Sequence, residues 1–413
     1  MSQTLAQKLV ARAAGRQSVT PGEIVTCKVD LAMMHDSGGP RRVKPMLERL
    51  GAKVWDPSKV VVITDHYVPA YDDESRKIIR IARDWVREAG IDNFYDEQGI
   101  CHVVLPERGH LRPGMFAVGG DSHSPTGGAF AAYMFGIGAT EMLGVLVTGE
   151  IWLKVPHTIA IEFSEKLSNG VSAKDIMLFL IGRFGLDGGQ YQAVEYRGAA
   201  IRALPMQERM TLCNMTAELG GQTGLIASDS TTKAFLNAEI EIWESDPGAP
   251  LMAHHRFDAS TLAPQVAAPH SPANSKAVEE FKHVKPGIAY IGACTGAKLV
   301  DLRMAASILK GRKAKMRLMV APASARDAKM AREEGTLRVL EDAGAEFLGL
   351  GCGICAGYGG NVLGENVVAI STTARNFKGR MGAASSQVYL ASPYTVAATA
   401  VAGHVCDPRE MLQ

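Results

Sequence analysis

Three cysteines of this sequence stand where sulfur could do chemistry. Cys352 and Cys355 form a C-x-x-C flanked by glycines in GCGICAG, and Cys294 closes the run IAYIGAC well upstream. A C-x-x-C lets two sulfurs reach one metal or cluster, and on its own it also fits a redox pair or half a zinc site. Three ligands are fewer than the four of a structural zinc or an electron-transfer cluster. A three-thiolate iron–sulfur cluster would leave one iron open as a Lewis acid. Zinc and unrelated buried cysteines remain alternatives at this point. Cys27, Cys101, Cys213 and Cys406 have no such setting and read as core or incidental residues.

A second set is acid and histidine. Asp65–His66 follows the run VVVIT, Asp121–Ser122–His123 follows MFAVGG, His102 opens CHVVL, and Glu195 sits in YQAVEY after a glycine-rich turn. A carboxylate beside a histidine fixes the ring and raises its pKa, which suits proton transfer. Arg375 and Arg380 in ARNFKGR could each hold a carboxylate through two parallel N–H bonds. Together these groups suit loss of water from a hydroxy acid. That reaction needs a base for the C–H proton, and iron plus a histidine acid to help hydroxide leave.

These residues must be positioned by a scaffold. Short β-branched runs alternate with helical stretches: VVVIT (60–64) as a buried strand, then a helix over 75–90 ending at Gly90. CHVVL (101–105), MFAVGGD (115–121), IAYIGAC (288–294) and MRLMVAP (316–322) read as strands, 299–311 as a helix and 128–150 as one long glycine-rich helical region. The N-terminal residues read as an amphipathic helix with Leu5, Leu9 and Val10 on one face. The alternation predicts an α/β fold with mostly parallel sheets. The proline-rich stretch 247–275 reads as a connection, and a second break lies near Val155–Pro156. Three units are expected: 1–155, 156–283 and 284–413.

Composition narrows the class. The chain has 413 residues, 46% hydrophobic and 21% charged, with net charge +1, the profile of a globular protein. It lacks the basic excess of a nucleic-acid or membrane-surface protein, and no run approaches the ~18 apolar residues of a membrane span. Seven cysteines, odd in number and sparse, are not a disulfide framework. The expectation is a cytoplasmic protein.

The sequence resembles the aconitase superfamily, in its branch of 3-isopropylmalate dehydratase and homoaconitase large subunits. VDLAMMHD, TDHYVPA, GICHVVLPERG, GGDSHSPTGGAF, GLDGGQYQAVEYRG, ERMTLCNMTAELGGQTGLI, IGACTGAKLVDLR, GCGICAG, RNFKGRMG and VYLASPYTVAATAVAG occur in the family's order across nearly the whole chain. The resemblance implies three α/β domains around a [4Fe-4S] cluster held by Cys294, Cys352 and Cys355, with one iron not bound by protein. It implies that His66, oriented by Asp65, protonates the leaving hydroxyl. Asp121 would pair with His102, and His123 and Glu195 would hold the water or substrate hydroxyl at the iron. Ser122, Arg375 and Arg380 would bind substrate. A serine base and another arginine lie, in the family, on a fourth, mobile domain within a Gly-Ser-Ser-Arg-Glu type motif. No such motif occurs here, so a separate domain-sized small subunit carrying the swivelling domain and the base is expected. Gly296 and Ala374 stand where the family usually has asparagine, and Thr126 where its aconitases do, which points toward another hydroxy-carboxylate. Alternatives are a hydratase of a small alkene diacid such as a methylated maleate, and a non-catalytic iron-sensing or RNA-binding relative. Near-neutral charge and intact acid–base residues argue against the last.

Overall fold

The computed structural model describes residues 2–412. The architecture is α/β, with three main sheets and flanking helices. The first sheet has five parallel strands in the order Phe94–Asp96, Val60–Thr64, Leu31–His35, Phe116–Gly119 and Tyr133–Gly136. Val60–Thr64 and Leu31–His35 are buried along their whole length, as central strands covered on both faces must be. The helix Asp73–Ala89 returns the chain across this sheet. Asp72 caps its first turn through Ser75 N, Asp73 and Glu74 oppose the helix dipole, and Gly90 ends it with φ +68°. The N-terminal helix Leu5–Ala13 is capped by Thr4 and Gln7 reciprocally and buries Leu5, Leu9 and Val10.

The second sheet has four parallel strands, in the order Thr223–Leu225, Ala193–Arg197, Thr158–Ser164 and Ala253–Asp258. The third has seven strands. Gln387–Ala391, Val368–Ser371, Ile288–Ile291, Arg317–Val320 and Ala345–Phe347 run parallel, and Gln265–Ala267 and Ser275–Ala277 add antiparallel at one edge. An antiparallel ribbon pairs Ile24–Lys28 with Glu150–Lys154.

Three readings of local structure are corrected. Residues 101–107 form a helix rather than a strand, because the Asp65 carboxylate accepts the Cys101 N–H at 2.8 Å and caps the first turn. The region 128–150 is not one helix. A 3₁₀ segment (Ser124–Phe130) ends where Ala131 turns left-handed at φ +54°, the strand Tyr133–Gly136 follows, and only Ala139–Thr148 is α-helical. The proline-rich stretch 247–275 is more than a connection, since Ala253–Asp258 completes the second sheet and Gln265–Ala267 joins the third. The third sheet therefore draws in chain from before residue 284.

Among the described residues, no helix is long and apolar enough to cross a membrane. The carboxyl ends of the first-sheet strands and those of the third sheet carry the loops with the chemistry-bearing residues, the edge at which open parallel sheets bind ligands.

Candidate active site

The first-sheet loops assemble a network of carboxylates and imidazoles. Asp36, just past Leu31–His35, accepts the backbone N–H groups of His66 (3.0 Å) and Tyr67 (2.8 Å), and so fixes the turn after Val60–Thr64. That turn presents Asp65 and His66. Asp65 Oδ1 lies 2.6 Å from His66 Nδ1, while Oδ2 is occupied by the Cys101 N–H. Burial of His66 works against its charge, but Asp65, Asp36 and Asp121 outweigh it and raise its pKa to about 10. Burial likewise opposes the Asp65 carboxylate, yet the facing imidazolium holds it down at about 2. His35 stacks on His66 with ring centroids 4.1 Å apart. Burial and the neighbouring His66 charge lower its pKa, so a neutral ring backs a cationic one.

Asp121 is the centre of the network. Its Oδ1 meets His102 Nε2 at 2.7 Å and accepts the His123 backbone N–H at 2.7 Å, and its Oδ2 lies 3.8 Å from both His35 Nε2 and His66 Nε2. Despite burial, the adjacent His102 and His123 hold Asp121 well below the ordinary carboxylate range. His123 Nε2 reaches Glu218 Oε1 at 3.0 Å, and the same oxygen accepts Arg375 Nε at 2.7 Å.

The three cysteines are buried at the third-sheet edge. Cys294 follows Ile288–Ile291 through Ala293, which takes φ +68°. Cys352 donates its backbone N–H to Asp65 O at 2.8 Å, joining the C-x-x-C loop to the turn that carries His66. A hydrogen bond from Cys352 pulls Cys355 down to about 5 against burial, with help from Arg380, His123 and Lys174. Asn214 Nδ2 donates to Cys294 Sγ at 3.3 Å. Two fully buried lysines brace these loops from behind. Lys298 Nζ donates to Cys294 O (2.8 Å). Lys174 Nζ donates to Thr295 Oγ1 (3.3 Å), Thr373 O (2.6 Å) and Thr372 O. Gly296 is dictated by packing, because a Cβ there would run into Thr372, whose hydroxyl bridges the N–H and C=O of Gly292.

A cleft of about 300 Å³ opens onto this assembly, lined by His35, His66, Asp121, Ser122, Arg375 and Arg380, with Arg42 and Tyr358 at its walls. Asp65, His66, His102, Asp121, Ser122, His123, Arg375 and Arg380 thus come together next to Cys294, Cys352 and Cys355. Glu195 does not. It lies within the strand Ala193–Arg197, bound to Arg197 Nε (2.8 Å) and Ser245 Oγ (2.7 Å), and lines a separate cavity. The acid hydrogen-bonded to the His123 ring is Glu218. His35, Asp36, Asn214 and Glu218 were not singled out from sequence. His35–Asp36 has the same acid-next-to-histidine pattern at a strand end as Asp65–His66, and that signal could have found it. Glu218 and Asn214 lie in CNMTAELGG, where only tertiary contact distinguishes them.

The donor set bears on what the cysteines could hold. Among the described residues, the groups close enough for every member to share one ion are His35–Asp36–Asp65–His66 and His102–Asp121–His123, and the cysteines are not such a group. A single tetrahedral ion with metal–sulfur bonds of ~2.3 Å would need its sulfurs within about 4 Å of one another. In the two closely spaced groups, Asp36, Asp65 and Asp121 already accept backbone N–H groups and imidazoles, so they are spent on positioning. Buried donors without acceptors lie at the cysteines, Tyr290 OH and Arg380 Nε. Three buried thiols, nearby cations and spare donors fit an anionic iron–sulfur cluster.

Comparison with known proteins agrees. The model of the aconitase family (aconitate hydratase) matches residues 7–286 and 274–403. The chain is 42% identical to the 3-isopropylmalate dehydratase large subunit 1 of Methanopyrus kandleri, covering all of both chains. It is 44% identical to a probable methanogen homoaconitase large subunit of Methanosarcina mazei, over 93% of this chain and 99% of that one. Among solved structures, holo aconitase X of Thermococcus kodakaraensis shares the fold, with a TM-score of 0.51 at 14% identity over 85% of this chain and 84% of that one. The near-complete family match and these full-length relatives establish the chain as a member of the aconitase family.

Proposed function

We propose that this protein is the large, cluster-bearing subunit of a hydro-lyase that removes and re-adds water on a 2-hydroxy di- or tricarboxylate, as its 3-isopropylmalate dehydratase and homoaconitase relatives are named for doing. One observation carries the reading. The charged His66–Asp65 pair opens onto the same cleft as Arg375 and Arg380, and Cys352 N–H is bonded to Asp65 itself.

Cys294, Cys352 and Cys355 would hold a [4Fe-4S] cluster with one iron free of protein ligands. When bound, that cluster supplies a Lewis acid for the departing hydroxyl. The remaining work falls to side chains. Arg375 and Arg380 neutralise substrate carboxylates, and Glu218 fixes the angle of Arg375 through its Nε. His66 is protonated at neutral pH and delivers a proton from Nε2 to the leaving hydroxyl, while Asp65 stays ionised and holds Nδ1. Asp121 orients His102 and His123, and Ser122 adds a hydroxyl at the cleft wall. Microscopic reversibility gives the same groups the rehydration step.

The relatives' names, being those of large subunits, imply a separate small subunit. That partner would bring the swivelling domain, the serine base and a further arginine over the cleft. The test is anaerobic turnover of the cluster-loaded chain with and without a candidate small subunit, on 3-isopropylmalate, a homoaconitate precursor and a methylated malate. Alkene formation that requires both chains supports the reading. A loaded pair inert toward all three, with the cluster intact, would count against it.

A further inference from the structure

Tyr290 lies in the strand Ile288–Ile291, just ahead of Cys294, with 1% of its surface exposed. Its hydroxyl has no hydrogen-bond partner. Leaving a buried hydroxyl unpaired costs about 1–3 kcal/mol, so its position calls for an explanation. Phenylalanine would fill the same space without that cost.

The surroundings of the hydroxyl point one way. The tip of the ring rests against Gly292, where a Cβ would overlap the Tyr290 oxygen and ring edge. Glycine at 292 thus makes room for the hydroxyl, two residues ahead of Cys294. Tyr290 also lines a cavity of about 200 Å³ with Gly351, Gly353 and Ile354, the backbone that carries Cys352 and Cys355. Burial, and beyond it the charges of Cys355, Cys352 and Cys294, push its pKa well up, so the hydroxyl keeps its proton. Besides Tyr290, the unpaired side-chain donor there is Arg380 Nε. Asn214 serves Cys294, while Gly296 and Ala374 carry none.

We propose that Tyr290 donates an O–H···S hydrogen bond to the cluster bound by Cys294, Cys352 and Cys355, and thereby sets its redox poise. The inference rests on the cluster assignment above. A hydrogen bond to cluster sulfur withdraws electron density and favours the reduced state. Tyr290 makes no contact with substrate in this scheme; it acts on the chemistry only through the cluster.

The experiment is a redox titration, followed by electron paramagnetic resonance, of the anaerobically reconstituted wild-type chain and Tyr290→Phe. The proposal predicts that Phe shifts the redox equilibrium about tenfold toward the oxidised cluster, ~59 mV for one electron. It further predicts that Phe removes a coupling to an exchangeable proton, detected by comparing H₂O with D₂O. An unchanged potential with unchanged proton coupling overturns it. Should Tyr290→Phe fold but hold no cluster, Tyr290→3-fluorotyrosine decides the matter, because its more acidic hydroxyl donates more strongly in the same space and should raise the potential, and an unchanged potential refutes the proposal. A wild-type chain that assembles no cluster overturns both this inference and the assignment beneath it, whereas a loaded wild type with an indifferent Phe variant overturns this inference alone.

Discussion

Replacing Asp65 with asparagine removes one charge and almost no volume, and it tests the proton-transfer half of the site. In the wild type His66 is buried at the cleft wall, and burial alone would depress its pKa below 6.5. The shift to about 10 is therefore the work of carboxylates. Asp65 is the nearest at 2.6 Å, against 3.9 Å for Asp36 and 3.8 Å for Asp121. Each pKa unit corresponds to about 1.4 kcal/mol between the protonation states, so the carboxylates together contribute several kcal/mol and Asp65 the largest share. In Asp65→Asn burial should prevail and bring His66 back toward neutrality. An asparagine that keeps its oxygen on the Cys101 N–H would also turn its amide N–H₂ toward His66 Nδ1, the wrong partner for an imidazolium. Loss of a positioned acid typically costs 10²–10⁴-fold in rate. The assays are ¹⁵N-edited NMR titration of the histidine rings and, with the partner subunit present, the alkaline limb of the pH–rate profile. His66 still titrating near 10 in the variant, or an alkaline limb that does not move, would refute the reasoning. Stability should follow the same groups. Because the folded pKa of His66 lies above its ordinary 6.5, its contribution is whole below 6.5 and fades as pH rises through about 10. Because that of Asp65 lies below its ordinary 3.8, its contribution is whole above 3.8 and fades as pH falls through about 2. The difference in melting temperature between wild type and Asp65→Asn should accordingly be greatest between about pH 4 and 6.5.

Four further substitutions separate the site from its surroundings. Glu218→Gln strips the shared anion from His123 and Arg375, and breaking such a buried pair should cost about 3–5 kcal/mol in thermal or denaturant unfolding and abolish turnover. Glu195→Gln should leave iron content and kcat unchanged, since that carboxylate serves Arg197 and Ser245; equal damage from both variants would contradict the assignment of Glu218. Gly296→Ala should destabilise the chain by about 2–4 kcal/mol through overlap with Thr372 and disruption of its bridge to Gly292, and Thr372→Gly in the same chain should restore packing but not the bridge, a result read from a double-mutant cycle. Lys174→Met leaves two carbonyls without their donor and should raise amide hydrogen exchange in 292–296 and 371–376; unchanged protection there would show that the lysine does not brace these loops.

What the sequence made legible is what period and ligand chemistry encode. VVVIT is a central strand, Asp73–Ala89 is a capped helix close to the predicted 75–90, and the order of motifs carried the family. The failures have a common cause in tertiary contact. CHVVL has the β-branched content of a strand, but the Asp65 carboxylate caps it into a helix. GAFAAYMFG has helical composition, but close approach of Gly128 to Gly224 O and the left-handed Ala131 break it. Ala253–Asp258 lies among prolines, yet pairing with Thr158–Ser164 makes it a strand. Glu195 was favoured because it follows a glycine-rich turn and stands in a motif of the resemblance. Its neighbour Arg197 claims it, and Glu218 reaches His123 from a turn after the helix Met206–Met215 that no local signal marks. Gly296 shows the converse: a departure from the family pattern visible in sequence has its physical reason in Thr372, distant in the chain.

The central claim is that three buried cysteines hold a cluster with one open iron beside a proton donor. Anaerobic reconstitution of the chain with iron and sulfide, followed by metal and sulfide analysis and Mössbauer spectroscopy of wild type and Cys294→Ala, tests it most directly. The account predicts about four irons and four sulfides per wild-type chain, one iron exchanging far faster than the rest and changing its signal when a hydroxy-carboxylate is added, and loss of the cluster in Cys294→Ala. A wild-type chain that takes up no iron–sulfur cluster, or that binds a single zinc instead, would contradict it.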